Sequence, residues 1–187
     1  MKTESVGKYV ARLAITLLLI TSVVAAALAG VNSITAPAIA ALTAEKTQTA
    51  IQAVLPGGGE EMSDLPAVDY EGADLVSKVY KGENGYAIEV TPGGFDNTIT
   101  MMVGIDTEGK VLGISIIKHT ETAGLGAVAA AGTPAGESFR NEFVGASGSV
   151  SVTKDGGEVE AITGATITSR AVCEGVNAAL ACAATLG

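Results

Sequence analysis

The hydrophobic positions of this chain are arranged in two ways, first as one long run and then as short alternating segments. Residues 13–44 contain no charged side chain, and only two threonines, a serine and a glycine interrupt the apolar run at 13–31. Those nineteen residues would span roughly 28 Å as a helix, which matches the hydrocarbon core of a bilayer. The pattern therefore predicts one transmembrane helix at residues 13–31, after a short tail at 1–12.

A break is expected directly after this run. Pro37 follows a short polar stretch and suits the first turn of a new helix. The sequence thus predicts a second, juxtamembrane helix from about Ala38 to Val54, ended by the proline and three glycines at 56–59. An acidic loop follows it, so residues 32–69 form the predicted connection to the rest of the chain.

Period-2 alternation begins at Tyr86. The alternating apolar residues are Tyr86, Ile88 and Val90, then Ile99, Met101, Val103 and Ile105, then Leu112, Ile114 and Ile116. Such alternation predicts half-buried strands, and Asp106–Gly109 has the composition of a hairpin turn between the last two. A further strand is predicted at Leu75–Tyr80. The result is an antiparallel sheet of about four strands, without the rhythm of a dinucleotide-binding fold.

Helical segments flank this sheet. A short helix is predicted at Ser138–Gly145 and a longer one with an apolar face at Arg170–Leu186. Between them, Ser149–Thr153 and Glu158–Ile162 have the composition of short strands. The predicted fold class is therefore α+β, with a single N-terminal transmembrane helix ahead of one domain at residues 70–187.

Charge predicts how the chain is oriented. The net charge is −9, which argues against nucleic acid as a partner. Three basic residues and one acidic residue precede position 13, so the remaining chain has a net charge of −11. A basic tip before an apolar helix predicts a cytoplasmic N-terminus and an extracytoplasmic domain. The small residues at 25–30 also permit a cleaved signal peptide, but the apolar run is longer than a typical signal core and favours an uncleaved anchor.

Few residues have the spacing of a catalytic or metal site. Cys173 and Cys182 lie nine residues apart on one predicted helix, on opposite faces, so they cannot bond to each other while that helix is intact. His119 is the only histidine. The sequence shows no catalytic acid–base set, no nucleophile–histidine pair and no metal ligand cluster.

The most informative stretch is Thr163–Ser169, which is rich in hydroxyls and small residues and precedes the C-terminal helix. The free N–H groups at a helix N-terminus, with small neighbours, suit a phosphate group. The same residues also fit an ordinary capped helix, with Thr168 or Ser169 as the N-cap. Spacing alone does not choose between these two interpretations.

A resemblance favours the phosphate site. The run Glu160-Ala161-Ile162-Thr163-Gly164-Ala165-Thr166 resembles the flavinylation motif of the FMN-binding domain family, with Glu160 where most members have Asp. In that family a flavin transferase joins FMN through its phosphate to the last threonine, which is Thr166 here. The resemblance implies a covalent FMN on Thr166, with other cofactor contacts at Thr163, Gly164, Ala165, Thr168 and Ser169.

A second signature supports the first. The loop Glu121-Thr122-Ala123-Gly124-Leu125-Gly126 is similar to the family's Glu-Thr-Pro-Gly-Leu-Gly segment, with Ala123 in place of the proline. The resemblance places Glu121, Thr122, Gly124 and Leu125 near the isoalloxazine ring of the flavin.

The order of anchor, loop and domain is similar to that of the G subunits of Rnf electron-transport complexes. This resemblance implies a redox-carrier subunit of a ferredoxin:NAD oxidoreductase coupled to ion translocation in the cell (inner) membrane. Its partners would be the other Rnf subunits and the flavin transferase. Two alternatives remain at this stage, a free-standing FMN-domain protein serving an extracellular reductase and a non-redox anchored interaction module.

Overall fold

The computed structural model describes residues 6–63, residue 70 and residues 72–186. Its α-helices are α1 (Val6–Val54), α2 (Pro134–Asn141) and α3 (Thr166–Leu186), and its strands are β1 (Glu60–Glu61), β2 (Val76–Gly82), β3 (Gly85–Val90), β4 (Thr100–Asp106) and β5 (Val111–Lys118). Three short 3₁₀ helices lie at Ala73–Leu75, Gly126–Ala130 and Thr153–Asp155. The α+β class is confirmed. The chain divides into two compact units, residues 1–44 and residues 45–187.

Helix α1 is one continuous helix of 49 residues, so the predicted break between two helices is wrong. Pro37 lies inside it, although proline removes one backbone hydrogen bond. Helices in an apolar environment tolerate proline because neighbouring backbone and hydroxyl groups take up the freed carbonyls. Among the described residues, α1 is the one helix long and apolar enough to cross a membrane, and its most apolar stretch is not buried by the protein.

The five strands form an antiparallel sheet in the order β1-β2-β3-β4-β5. The predicted hairpin is confirmed, since β4 and β5 pair and Asp106 accepts hydrogen bonds from the backbone of Glu108 and Lys110, each at 2.8 Å. Gly109 has φ +79°, a left-handed conformation that glycine adopts at low cost. Strand β1, with only two residues, was not predicted.

Helix α3 covers one face of the sheet. Val176 and Ala179 of α3 are fully buried with Val90 and Met101 of the sheet. Gly175 permits this close approach, because a Cβ there would lie 3.1 Å from Val90 and 3.2 Å from Met101. The site residues at the start of α3 are therefore attached to a rigid element.

The C-terminal end of α1 covers the other face. Ile51, Val54 and Leu55 are almost fully buried against Ala87 and Met102. Half-burial was therefore the wrong expectation for β4, whose five central residues are all buried. Burying one large aliphatic side chain contributes about 1.5–3 kcal/mol, so this contact adds substantially to the core.

The chain between β5 and α3 is mostly irregular. Helix α2 begins earlier than predicted, because Pro134 suits the first turn and the Thr133 hydroxyl accepts a hydrogen bond from Gly136 N at 3.4 Å. Phe139 and Phe143 are buried with their ring centroids 5.4 Å apart. The strands predicted at 149–153 and 158–162 are reduced to one bridge between Val152 and Val159, and a 3₁₀ helix occupies Thr153–Asp155 between them.

Candidate functional site

A tight turn at residues 162–165 leads into α3. Ala165 N donates to the Ile162 carbonyl at 2.9 Å, and Gly164 has φ +77°. A Cβ on Gly164 would lie 3.0 Å from Leu125 Cδ2. The missing side chain thus lets the loop of Leu125 approach the backbone of the turn, and residues of the two predicted signatures lie together.

The Ser169 hydroxyl fixes this turn to the first turn of α3. It accepts a hydrogen bond from Ile162 N and donates one to the Ala165 carbonyl, both at 3.0 Å. Ser169 is fully buried. Helix α3 begins at Thr166, so neither Ser169 nor Thr168 is the N-cap that the sequence suggested.

Thr166 is the first residue of α3 and is half-buried. Its hydroxyl oxygen accepts a hydrogen bond from Lys154 Nζ at 3.0 Å. Lys154 is held there by the 3₁₀ helix Thr153–Asp155, which ends at Gly156 with φ +87°. A cation therefore lies beside the hydroxyl that the sequence selected as the flavin acceptor.

A bidentate ion pair lies one helical turn away. Arg170 Nε and Nη2 donate to the two carboxylate oxygens of Asp155 at 2.6 and 2.7 Å. The Arg170 guanidinium lowers the pKa of the Asp155 carboxyl, and the charge of Lys154 acts in the same direction. The pair is solvent-exposed, and it ties the 3₁₀ helix to α3.

The buried Glu121 side chain connects three segments of the site, which are its own loop, the segment of Phe95 and the first turn of α3. Its carboxylate accepts hydrogen bonds from Phe95 N, at 2.8 Å, and from the Thr168 hydroxyl. Glu121 is 7% exposed and Thr168 is 2% exposed, so these groups stabilise each other away from water. Gly94 and Gly126 leave space for the carboxylate, since a Cβ at either position would collide with it.

Most of the other predicted site residues lie at the surface. Thr122, Gly124, Leu125, Thr163 and Gly164 are exposed, and Ala165 is buried beneath them. The exposed side chain of Glu160 makes no hydrogen bond among the described contacts, whereas its backbone N–H donates to Glu142 Oε2 at 2.6 Å.

Three exposed apolar side chains lie on the segments that form this site. Leu125 is 42% exposed, Ile167 49% and Phe95 66%. Leu125 and Phe95 belong to the segments that Glu121 and Gly164 bring together, and Ile167 is adjacent to Thr166. An apolar surface beside a hydroxyl and a cation suits a group with an aromatic ring and a phosphate, so the residues present fit FMN.

The sequence missed three of these features. Phe95 and Ile167 belong to no motif, and only the structure shows that they are exposed. Lys154 also belongs to no motif and lies twelve positions before Thr166. Arg140, which belongs to none of the motifs, is not a fully solvated surface charge. Its guanidinium is half-buried and donates to the carbonyls of Ala129 and Ala131 at 2.7 and 2.9 Å.

A groove of about 1000 Å³ runs along the face of α3 that includes Cys173, Asn177 and Ala181. Burial raises the pKa of the Cys173 thiol to about 11, and the nearby Asp155 carboxylate adds to this effect. Its thiolate is therefore scarce at neutral pH, and the thiol is a poor nucleophile. Among the described residues no group of His, Cys, Asp and Glu side chains could hold a metal ion.

Comparison with known proteins gives two kinds of match. Residues 94–181 match the FMN-binding domain family. Over 195 aligned residues, covering 94% of this chain and 92% of the relative, the chain is 35% identical to the G subunit of the Na(+)-translocating ferredoxin:NAD(+) oxidoreductase complex of Acetobacterium woodii. It is 33% identical over 183 residues, covering 93% and 94%, to the G subunit of the ion-translocating oxidoreductase complex of Methanosarcina acetivorans. A third relative, the protein of the same name from Photorhabdus laumondii subsp. laumondii, is 32% identical over 87% of this chain and 84% of its own length.

Proposed function

The chain belongs to the G-subunit family of ion-translocating oxidoreductase complexes, and from this membership we propose that it is the electron-transfer subunit of a membrane-bound Rnf complex with FMN attached to Thr166. The complex would be a ferredoxin:NAD oxidoreductase coupled to ion translocation. FMN, when bound, supplies one- and two-electron chemistry at its isoalloxazine ring. The protein supplies the attachment point, the position and the surroundings of that ring.

The observation that carries this proposal is the arrangement around Thr166. Thr166, whose half-buried hydroxyl accepts a hydrogen bond from a lysine, is the first residue of α3, and the turn directly before it contains a glycine, Gly164, in a left-handed conformation. The turn and the helix both lie within the region that matches the FMN-binding domain. Attachment through a phosphoester would keep the cofactor in place outside the cytoplasm, where no FMN pool replaces a lost molecule.

Each site residue then has a role that follows from its position. Thr166 Oγ1 would hold the FMN phosphoryl group, and Gly164 would leave room for it. Thr122, Gly124 and Leu125 would lie beside the ring, because they are exposed next to the turn.

The buried polar side chains would position the exposed residues of the site. The contact of Glu121 with Thr168 fixes the loop of Leu125 to α3, and Ser169 fixes the turn. These side chains already have partners within the protein, so their contribution is to position the surface residues.

The proposed location follows from α1 and the charge pattern. The apolar helix and the relatives in ion-translocating complexes indicate a membrane protein. We place the N-terminus in the cytoplasm and the domain outside, with residues 13–31 of α1 as a single membrane span. The partners would be the other subunits of the complex and a flavin transferase that loads the cofactor.

Replacement of the acceptor tests this proposal. Full-length protein would be produced with a flavin transferase, denatured, and separated on a gel viewed under ultraviolet light. We expect fluorescence from the wild type and from Thr107→Val, a control that removes an exposed hydroxyl outside the motif. Thr166→Val should be dark, with circular dichroism unchanged. A fluorescent Thr166→Val band would overturn the attachment site.

A further inference from the structure

Lys154 hydrogen-bonds to a hydroxyl, whereas Lys78 and Lys110 form ion pairs with carboxylates. Lys78 pairs with Glu61 at 2.9 Å, and Lys110 pairs with Glu108 at 2.8 Å. Lys154 donates to the Thr166 hydroxyl, and among the described residues no carboxylate lies within ion-pair distance of its ammonium group.

The neighbouring charges explain why this cation has no carboxylate partner. Asp155 is adjacent in sequence, but both of its carboxylate oxygens accept hydrogen bonds from Arg170. The ion pair leaves the Lys154 ammonium, with three donors, directed at Thr166. A positive charge is thus held at a hydroxyl in a chain whose net charge is −9.

We propose that Lys154 is the phosphate-binding residue of the flavin site, and that it stabilises the FMN phosphate while Thr166 is loaded and afterwards. This inference rests on the proposed function. A phosphodiester on Thr166 retains one negative charge on its free oxygens. An ammonium 3.0 Å from the bridging oxygen is close enough to donate a charge-assisted hydrogen bond to that group.

The loading step requires a flavin nucleotide whose FMN phosphorus bears a leaving group, as in a dinucleotide phosphoanhydride. Thr166 Oγ1 forms the new bond to phosphorus, and the phosphoanhydride bond breaks. The leaving group departs as a nucleoside monophosphate, and the hydroxyl proton passes to a base of the transferase. Negative charge is spread over the phosphoryl oxygens in the transition state of this exchange, and a cation beside Thr166 would stabilise it there.

A structural role for Lys154 predicts a different result from an electrostatic one. If the side chain only orients the hydroxyl of Thr166, glutamine, which also donates a hydrogen bond, would replace it. If its charge is required, arginine would replace it and glutamine would not. The matched control is Lys110→Gln, which removes an exposed lysine in the β4–β5 turn.

The experiment measures the initial rate of covalent labelling of full-length protein by the transferase and a flavin dinucleotide. In-gel fluorescence is recorded as the acceptor protein concentration is varied. For Lys154→Gln we expect kcat to fall roughly 10- to 100-fold, with KM for the acceptor nearly unchanged. Lys154→Arg should retain most of the rate, and Lys110→Gln should match the wild type.

The outcomes separate this inference from the proposed function. A wild type that takes up no covalent flavin would contradict the proposed function. A labelled wild type with Lys154→Gln labelled at the same kcat would overturn the role of Lys154 alone. Equal losses in Lys154→Gln and Lys154→Arg, or a rise in KM without a fall in kcat, would also overturn it, since both indicate a structural or docking role.

Discussion

Thr166, Thr168 and Ser169 stand within four residues of one another, yet their hydroxyls make different contacts. Thr168 donates to Glu121 and Ser169 bonds to the turn, both deeply buried, whereas Thr166 is half-buried and accepts from Lys154. The motif resemblance selects Thr166 among these hydroxyls but gives no physical reason for the choice. Burial distinguishes two that fix the backbone from one that can react.

Thr168→Val should destabilise the protein. The substitution keeps the shape but leaves Glu121 Oε2 without its donor in a buried position. We expect a loss of about 1–3 kcal/mol in the free energy of unfolding, measured with urea in detergent. The control Thr107→Val removes an exposed hydroxyl and should change stability by about 0.5 kcal/mol or less. Equal stability of the two variants would show that the Glu121 contact contributes nothing.

Gly164→Ala should affect loading more than stability. Alanine in a left-handed conformation costs about 1 kcal/mol, and the new Cβ would also press on Leu125. Gly148→Ala is the matched control, because Gly148 has φ +78° and open space around it. We expect similar unfolding free energies for the two variants but covalent labelling roughly tenfold or more slower for Gly164→Ala. Similar labelling rates for both variants would mean that flavin loading does not depend on the missing side chain at Gly164.

At the scale of elements, the end of α1 is part of the folded domain. Gly104 of β4 lies so close to Val54 that a Cβ would collide with its backbone. Gly104→Ala should therefore cost about 1–3 kcal/mol. Gly113, its partner on β5, has nothing within 4 Å of a Cβ, so Gly113→Ala should be tolerated. Urea unfolding of both variants measures the difference, and equal costs would contradict the packing of α1 on the sheet.

This contact also explains what the sequence could not predict. Alternation located β3, β4 and β5 because each of these strands contributes apolar side chains to the core cluster that also contains the buried residues of α3. The second face is covered by α1, and the small or flexible residues Ala87, Met102 and Gly104 give no alternation signal for it. A pattern of residue types along one strand does not reveal which distant helix covers it.

The same limit applies to other elements and to the site. Pro37 suggested a break because rules for helices in water assign proline to helix ends, whereas α1 continues through it. Motifs identified the loop of Leu125 and the turn of Gly164, which the structure brings together. Lys154 was not identified, because its position beside Thr166 depends on the 3₁₀ helix Thr153–Asp155, where the sequence indicated only a turn between two short strands.

On the scale of the whole molecule, charge predicts the orientation in the membrane. A basic N-terminal tip precedes the uncharged segment 13–44 and an acidic domain. A reporter enzyme that is active only outside the cytoplasm, fused after Gly187, should therefore be active. A second reporter that is active only in the cytoplasm should be inactive at the same position. The reverse result would invert the proposed topology.

The central claim is that Thr166 holds a covalent FMN, and mass spectrometry tests it most directly. Full-length protein made with a flavin transferase would be digested, and the peptides containing Thr163, Thr166 and Thr168 would be fragmented. We predict the mass of an FMN phosphoryl group on Thr166 and on no other residue of that segment. An unmodified segment from a transferase-loaded preparation, or the flavin mass on a different residue, would contradict the claim.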